Sequence, residues 1–298
     1  MKTTLYLTIS LILYINILYS QSFNLEVAQG TNPSMLLGKI NKSALIQEPY
    51  QEWFLKYYEE YTPEPSKIDS LKSLLNQYTI TLFMGTWCGD SKREVSRFYK
   101  VLEKSNFSLD RLTTIAVDRN KETYKQSPGG EHEGLNIHRV PTFIFYKNGK
   151  EVNRIIESPV QTIEKDILSL LTKSYTPKYS SVTLMNDILA KKGVSYLSKN
   201  TKKLIKQFKG KTENLYELNT YANVLFYGHK KEEAIEILKF NIALFPEEAK
   251  TYINLANKYL YLKDNANAIQ YYKKSLKFIK DEEIQNKINE LSTTPNPE

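Results

Sequence analysis

Residues 79–156 follow an order that few folds can accommodate. Thr79 to Met84 is a short β-rich run, and the stretch after it carries a helical pattern through Val95, Phe98, Tyr99 and Leu102. Thr113 to Val117 reads as a second strand, Val140 to Tyr146 as a third and Glu151 to Ile156 as a fourth. Asn148-Gly149 lies between the last two, and Asn-Gly is the strongest short-range hairpin signal. The helix between the first two strands serves as a crossover, so those strands are parallel, whereas the hairpin strands are antiparallel. A helix over Ser66 to Gln77 precedes the set, with Ile68, Leu71, Leu74 and Leu75 on one face and Ser66 as its N-cap. A last helix covers about Val160 to Lys173.

The chain has 298 residues and a single cysteine, Cys88. At its start, Lys2 precedes an apolar stretch from Leu5 to Leu18, broken only by Thr8, Ser10 and Asn16 and followed by Ser20-Gln21. That is the pattern of a secretory signal peptide cleaved near Ser20. An uncleaved anchor is the competing reading, but a bilayer span needs about 20 apolar residues. No cysteine lies near the cleavage site to carry a lipid. The expected location is therefore the bacterial periplasm or the extracellular space, with no stable membrane span after cleavage. Exported proteins ordinarily pair their cysteines. A lone one forms no internal disulfide, and is either inert or a reactive thiol with an outside partner.

Two separated motifs bear on that choice. Trp87-Cys88-Gly89-Asp90-Ser91-Lys92 falls at a strand-to-helix junction, and Val140-Pro141-Thr142 opens the third strand. Together they resemble the thioredoxin family over roughly half of the chain. The resemblance implies an α/β thioredoxin fold, a cis peptide before Pro141, and Cys88 as the nucleophile. It also implies that Trp87, Val140 and Thr142 border the place where a substrate backbone pairs. The resemblance implies no cofactor and no metal.

The residues themselves add to this. A cysteine at a helix N-terminus meets unpaired N–H groups and the positive end of the macrodipole, which favour thiolate. Lys92 and Arg93 act in the same sense and Asp90 opposes them. Ser91 stands where a resolving cysteine would be. An alcohol forms no disulfide and does not ionise near neutrality, so it can only hydrogen-bond the thiolate or cap the helix. Leu82 occupies the strand position where disulfide-reducing members often keep a buried acid. Dithiol turnover is thus not expected. Three functions stay open: monothiol exchange with a client protein or small thiol, including isomerase-like shuffling; peptide binding without redox turnover; and an assembly role with Cys88 vestigial.

The C-terminal third is periodic. Leu218, Tyr221, Ala222, Leu225, Ala234 and Leu238 are answered by Tyr252, Leu255, Ala256, Tyr259, Ala268 and Tyr272, and Ala234 and Ala268 stand 34 residues apart. This is the spacing of tetratricopeptide repeats. The expected organisation is a signal peptide (1–20), a lead-in (21–65) made helical by Trp53 to Tyr58 and Tyr61, and a thioredoxin-like domain (66–175). A linker or degenerate helix pair (176–210), an all-α tetratricopeptide-like domain (211–285) and an extension with a disordered tail (286–298) follow. Stacked helix pairs present a concave face to a protein partner, with Tyr261 and Tyr271 as candidate contacts.

The 41 Lys and Arg against 33 Asp and Glu give a charge of +8. The lysines are densest between Lys191 and Lys211 and recur along helix faces, as on a solvated surface. No nucleic-acid signature accompanies them, and no nucleic-acid partner is expected. Glu131, His132 and Glu133 lie in a polar stretch, Arg119 to Arg139, read as a solvated loop rather than a metal site. His138 is a candidate for tuning Cys88. His229 falls at a helix turn, and Asp118 is read as a turn former. No phosphate-binding loop, dinucleotide fingerprint or serine elbow is present.

Overall fold

The computed structural model describes residues 23–173 and 175–293. The signal peptide at 1–20 and the tail beyond Thr293 lie outside the described residues. The chain opens with a hairpin of β1 (Leu25–Gln29) and β2 (Asn32–Ile40), then α1 (Lys42–Leu45), α2 (Gln51–Glu60) and α3 (Pro65–Leu74). Next come β3 (Thr79–Met84), α4 (Gly89–Lys104), β4 (Leu112–Ala116), β5 (Thr142–Lys147), β6 (Lys150–Ile156) and α5 (Ile163–Thr172). The sheet order is β1-β2-β4-β3-β5-β6. β3 runs parallel to β4 and antiparallel to β5, and β5 and β6 are antiparallel. This is the strand, crossover helix, strand and hairpin order that the sequence implied. At the hairpin turn Asn148 and Gly149 both take positive φ, 52° and 74°.

Two elements differ from expectation. β1 and β2 extend the sheet where the sequence showed no strand signal. Met35, Leu36 and Leu37 are all buried, so β2 is covered on both faces and lacks the alternation of a half-exposed strand. Helix α3 starts at Pro65 with Glu64 as N-cap, not at Ser66. Proline suits the first helical position because its missing N–H would be unpaired there anyway. The Ser66 hydroxyl instead donates to the Glu64 carboxylate at 2.7 Å.

Both faces of the sheet are buried. Ile80, Leu82, Met84, Phe143 and Phe145 pack with Phe98 of α4 and Phe54 of α2. Phe83, Ile115 and Ile144 face the other way, against Ile137 and Val140 of the segment between β4 and β5. Ile137, His138 and Val140 of that segment therefore belong to the core, whereas residues 119–123, 128–129 and 133–134 are exposed as its polar composition suggested. Lys125, Ser127 and His138 are each about 4% exposed.

The C-terminal half is helical: α6 (Ser180–Lys192), α7 (Ser195–Phe208), α8 (Tyr216–Tyr227), α9 (Lys231–Leu244), α10 (Ala249–Tyr261), α11 (Asn265–Ser275) and α12 (Glu282–Thr293). α8 packs on α9 and α10 on α11, with α9 touching α10. Ala222, Ala234, Ala256 and Ala268 are fully buried, as close helix approach requires. Among the described residues no helix is long and apolar enough to cross a membrane.

The two halves are joined through the β4–β5 segment. Gln126 donates to the Tyr227 carbonyl at 3.0 Å, and Asn136 to the Asn186 side chain at 2.9 Å. The His138 ring meets Tyr179 and Tyr221 edge-on, at 5.9 and 6.1 Å.

Candidate active site

β3 delivers the chain to the turn Gly85-Thr86-Trp87, and Cys88 is the N-cap of α4. Its extended backbone (φ −94°, ψ 125°) leaves the side chain half-buried at the helix mouth. The Cys88 N–H donates to the Gly85 carbonyl at 2.9 Å, closing the turn. Its Sγ lies 3.3 Å from the carbonyl oxygen of Val140, the residue before Pro141, and the Val140–Pro141 peptide is cis. The two sequence motifs thus meet at one sulfur.

Their neighbours differ in what they offer. The Trp87 indole is half-buried and donates from Nε1 to the Val117 carbonyl at 2.9 Å. Val140 and Thr142 are buried; Thr142 donates from its hydroxyl to the Arg139 carbonyl at 2.7 Å and lies between Phe83 and Ile156 in the sheet. Gly85 is fixed by the indole: a Cβ there would lie 2.5 Å from Trp87 Cε2. Gly85→Ala is expected to displace the ring, break its bond to Val117 and cost about 1–3 kcal/mol. In a Trp53→Phe background, where Trp87 is the remaining indole, emission should shift and Tm fall; an unchanged spectrum and Tm would count against this packing.

Several curated thioredoxins align with this chain. Thioredoxin-2 of Saccharomyces cerevisiae is 27% identical over 104 residues, 35% of this chain and 90% of that protein. Thioredoxin Asp f 28 of Aspergillus fumigatus is 29% identical over 89 residues, 30% of this chain and 73% of its own length. Thioredoxin H2 of Arabidopsis thaliana is 26% identical over 95 residues, 32% of this chain and 64% of that protein. The sheet order and these alignments agree. The chain is a thioredoxin fold followed by an all-α domain. No family model matches it. The similarity supports a redox-related, thioredoxin-like protein.

Within this thioredoxin fold the departures sit around the sulfur. The Ser91 hydroxyl is fully buried and accepts from the Gly85 N–H at 3.1 Å. It makes no hydrogen bond to Cys88, and its oxygen serves a backbone donor at the end of β3. Leu82 is fully buried between Thr114 and Phe143, in the apolar core. Arg93 is engaged by Asp90 at 2.7 Å and by Glu94 at 2.6 Å, and Lys92 lies over the Trp53 ring at 5.8 Å. Helical rotation thus commits both cations to other partners.

A third cation, from the β4–β5 segment, is electrostatically coupled to Cys88. Lys125 is buried and donates from Nζ to the His138 carbonyl at 2.5 Å, with its ammonium 4.6 Å from the Tyr124 ring. Burial pushes its pKa down to about 7, with Arg139 adding to the fall and the charges of Cys88 and Glu157 opposing it. Tyr124 is raised by burial, and the Cys88 charge adds to that rise. Its ring lies 6.4 Å from that of Trp87. Sequence reasoning missed Lys125 and Tyr124; Lys125 stands between Tyr124 and Gln126 in a polar run, and Tyr124 was the one aromatic signal there.

The remaining candidates fall elsewhere. His138 is pushed down to about 3, chiefly by burial, so its ring is neutral, and Nδ1–H donates to the Asn136 carbonyl at 3.1 Å. The ring faces Tyr179 and Tyr221 of the helical half, and makes no hydrogen bond to Cys88. His132 accepts from the Ser127 N–H at 3.0 Å, and Glu131 accepts from the Ser127 hydroxyl. Among the described residues no three His, Cys, Asp or Glu side chains are placed to hold a metal. Asp118 accepts from Asn120 N–H at 2.9 Å and from the Thr123 hydroxyl at 2.6 Å, the pattern of a turn former. His229, at positive φ, follows α8 and borders a cavity of about 750 Å³ shared with His132.

Proposed function

We propose that this is an exported thioredoxin-like protein that acts by monothiol exchange through Cys88. The observation that carries the proposal is a half-exposed thiol at the N-cap of α4, against the Val140 carbonyl, in a chain with no second cysteine. The Cys88 thiolate attacks a client disulfide, a new S–S bond forms, and the client's other sulfur leaves as a thiolate. A second thiol, from the client or from a small molecule, then attacks the mixed disulfide and releases Cys88. The net result is shuffled or transferred disulfides, with no net reduction by this chain. Lys125, buried and cationic below about pH 7, places a coupled positive charge beside this step.

The helical half supports a tetratricopeptide-like reading, since the four alanines of the period are fully buried at helix contacts. Its role is to hold a protein partner. Tyr261 is 42% exposed and suits such a surface, whereas Tyr271 is half-buried and stacks on Tyr259 at 5.6 Å. A second reading is binding without redox turnover, favoured by Ser91 being turned away from the sulfur.

The test is to incubate the protein with excess oxidised glutathione and measure its intact mass. Monothiol exchange is expected to add one glutathione to the parent and none to Cys88→Ser, and dithiothreitol to reverse the addition. An unmodified parent protein would overturn the proposal. Pull-down of the same partners by Cys88→Ser would favour the binding module.

A further inference from the structure

We propose that the trough between Lys121–Tyr124 and helices α8 and α10 binds an acidic stretch of a partner polypeptide, seating its carboxylates on Lys121 and Lys258, with Lys231 of α9 beside the same ring cluster. This assigns a partner class to the monothiol reading, and rests on that reading only for what happens at Cys88. The trough encloses about 550 Å³.

Three ammonium groups share one aromatic cluster there. Lys258 is 7% exposed, with Nζ 4.3 Å from the Tyr227 ring and 4.7 Å from that of Phe226. Lys231 Nζ lies 5.8 Å from both Phe226 and Tyr261, and Lys121 Nζ 5.6 Å from Tyr261. Among the described residues none of the three has a carboxylate within ion-pair distance. Glu122 is felt electrostatically at Tyr227, yet it pairs with none of them. Ring faces and the Tyr227 hydroxyl, 3.3 Å from Lys258, are the compensation in place. Burial, with Lys121 adding, lowers Lys258 to about 8. Clustered like charges on a partly desolvated surface are costly unless an anion arrives to pair with them.

Two further features favour a peptide over a nucleic acid. Asn223 of α8 and Asn254 of α10 line the trough half-buried, with no hydrogen bond made by either amide. Such amides match peptide N–H and C=O groups. Phe226, Tyr227 and Tyr261 meet edge-to-face within 5.3–5.8 Å and carry lysines within 4.3–5.8 Å of their centroids, so the rings are engaged with each other and with cations rather than set out as a stacking ladder for bases. Tyr124 lines the trough and lies beside Trp87, the residue before Cys88.

The test uses the full chain carrying Cys88→Ser and a fluorescein-labelled Gly-Ser peptide with four glutamates, its glutamine analogue serving as control. Anisotropy at low salt is expected to show the glutamate peptide binding at least tenfold more tightly. Lys258→Met is expected to weaken it about tenfold, and Lys191→Met, at an exposed α6 residue that pairs with Asp187 and does not line the trough, to leave it unchanged. Circular dichroism and Tm verify that Lys258→Met folds. Equal affinity for the two peptides overturns the proposal, as does indifference to Lys258→Met in a folded protein. Tighter binding of a single-stranded oligonucleotide at the same salt overturns it too. If the glutamate peptide binds but oxidised glutathione leaves Cys88 of the parent unmodified, the trough stands and monothiol exchange falls.

Discussion

Lys125→Met is expected to slow the reaction of Cys88 with neutral 2,2′-dithiodipyridine roughly tenfold at pH 6, with the ratio to the parent approaching one above pH 9. The reason is that Lys125 is electrostatically coupled to Cys88, whereas Lys92 lies over the Trp53 ring and Arg93 is paired with Asp90 and Glu94. Its ammonium is buried and held on the His138 carbonyl at 2.5 Å, so solvent screens it poorly. Loss of a buried cation's attraction for negative charge on the attacking sulfur costs on the order of 1–1.5 kcal/mol in the barrier, about tenfold in rate. Lys125 is charged below about pH 7 and progressively neutral above it. The advantage must therefore fade as pH rises through that value. A ratio that stays constant from pH 6 to 9 would falsify the electrostatic role.

The same lysine sets a stability slope. Its pKa is about 7 in the folded protein against 10.5 as the ordinary value. The unfolded chain thus binds more protons between about pH 7 and 10.5, and stability rises with pH across that window. The penalty below pH 7 is on the order of 5 kcal/mol, partly offset in Lys125→Met by the unpaired His138 carbonyl. Urea midpoints at pH 7 and 9.5 should therefore separate more in the parent than in Lys125→Met. Parallel slopes would mean that the ammonium is better solvated than its burial implies.

Much of the scaffold was legible because local and global signals agree there. β3 ends where a short β-rich run ends, α4 follows its apolar spacing, and Asn148-Gly149 turns as its residue types require. The sulfur and Pro141 were legible as two motifs, although only the fold brings them together. What escaped has a common cause. Lys125 and His138 are polar residues buried by packing against both the sheet and the helical half, and composition alone assigns such residues to solvent. β2 escaped for the converse reason, since Met35 to Leu37 are buried without alternation. Ser91 was identified, but its acceptor role toward Gly85 depends on how β3 ends, which no spacing rule encodes.

Ser91→Cys is expected to remove the dependence on an external thiol. Residues 88 and 91 are the N-cap and third residue of one helical start, and i, i+3 positions share a face. A thiolate at position 91 attacks Cys88 Sγ in the mixed disulfide, the client leaves as a thiol, and the pair is left oxidised. Two electrons pass to the client, and dithiothreitol returns the pair to its reduced state. Turnover of insulin disulfides with dithiothreitol is then expected to rise at least tenfold over the parent, while trapped mixed disulfide falls by a similar factor. Two features of the structure limit the gain. The Gly85 N–H loses an oxygen acceptor, worth about 1 kcal/mol, and Leu82 supplies no proton relay beneath the pair. Leu82→Asp added to Ser91→Cys should therefore raise turnover further at a cost in Tm, because it places a carboxylate in an apolar core. If oxidised Ser91→Cys keeps two thiols that react with maleimide, and traps clients as well as the parent does, the helix start does not hold the two side chains within reach. The monothiol character would then come from the geometry of the site and not from the missing sulfur alone.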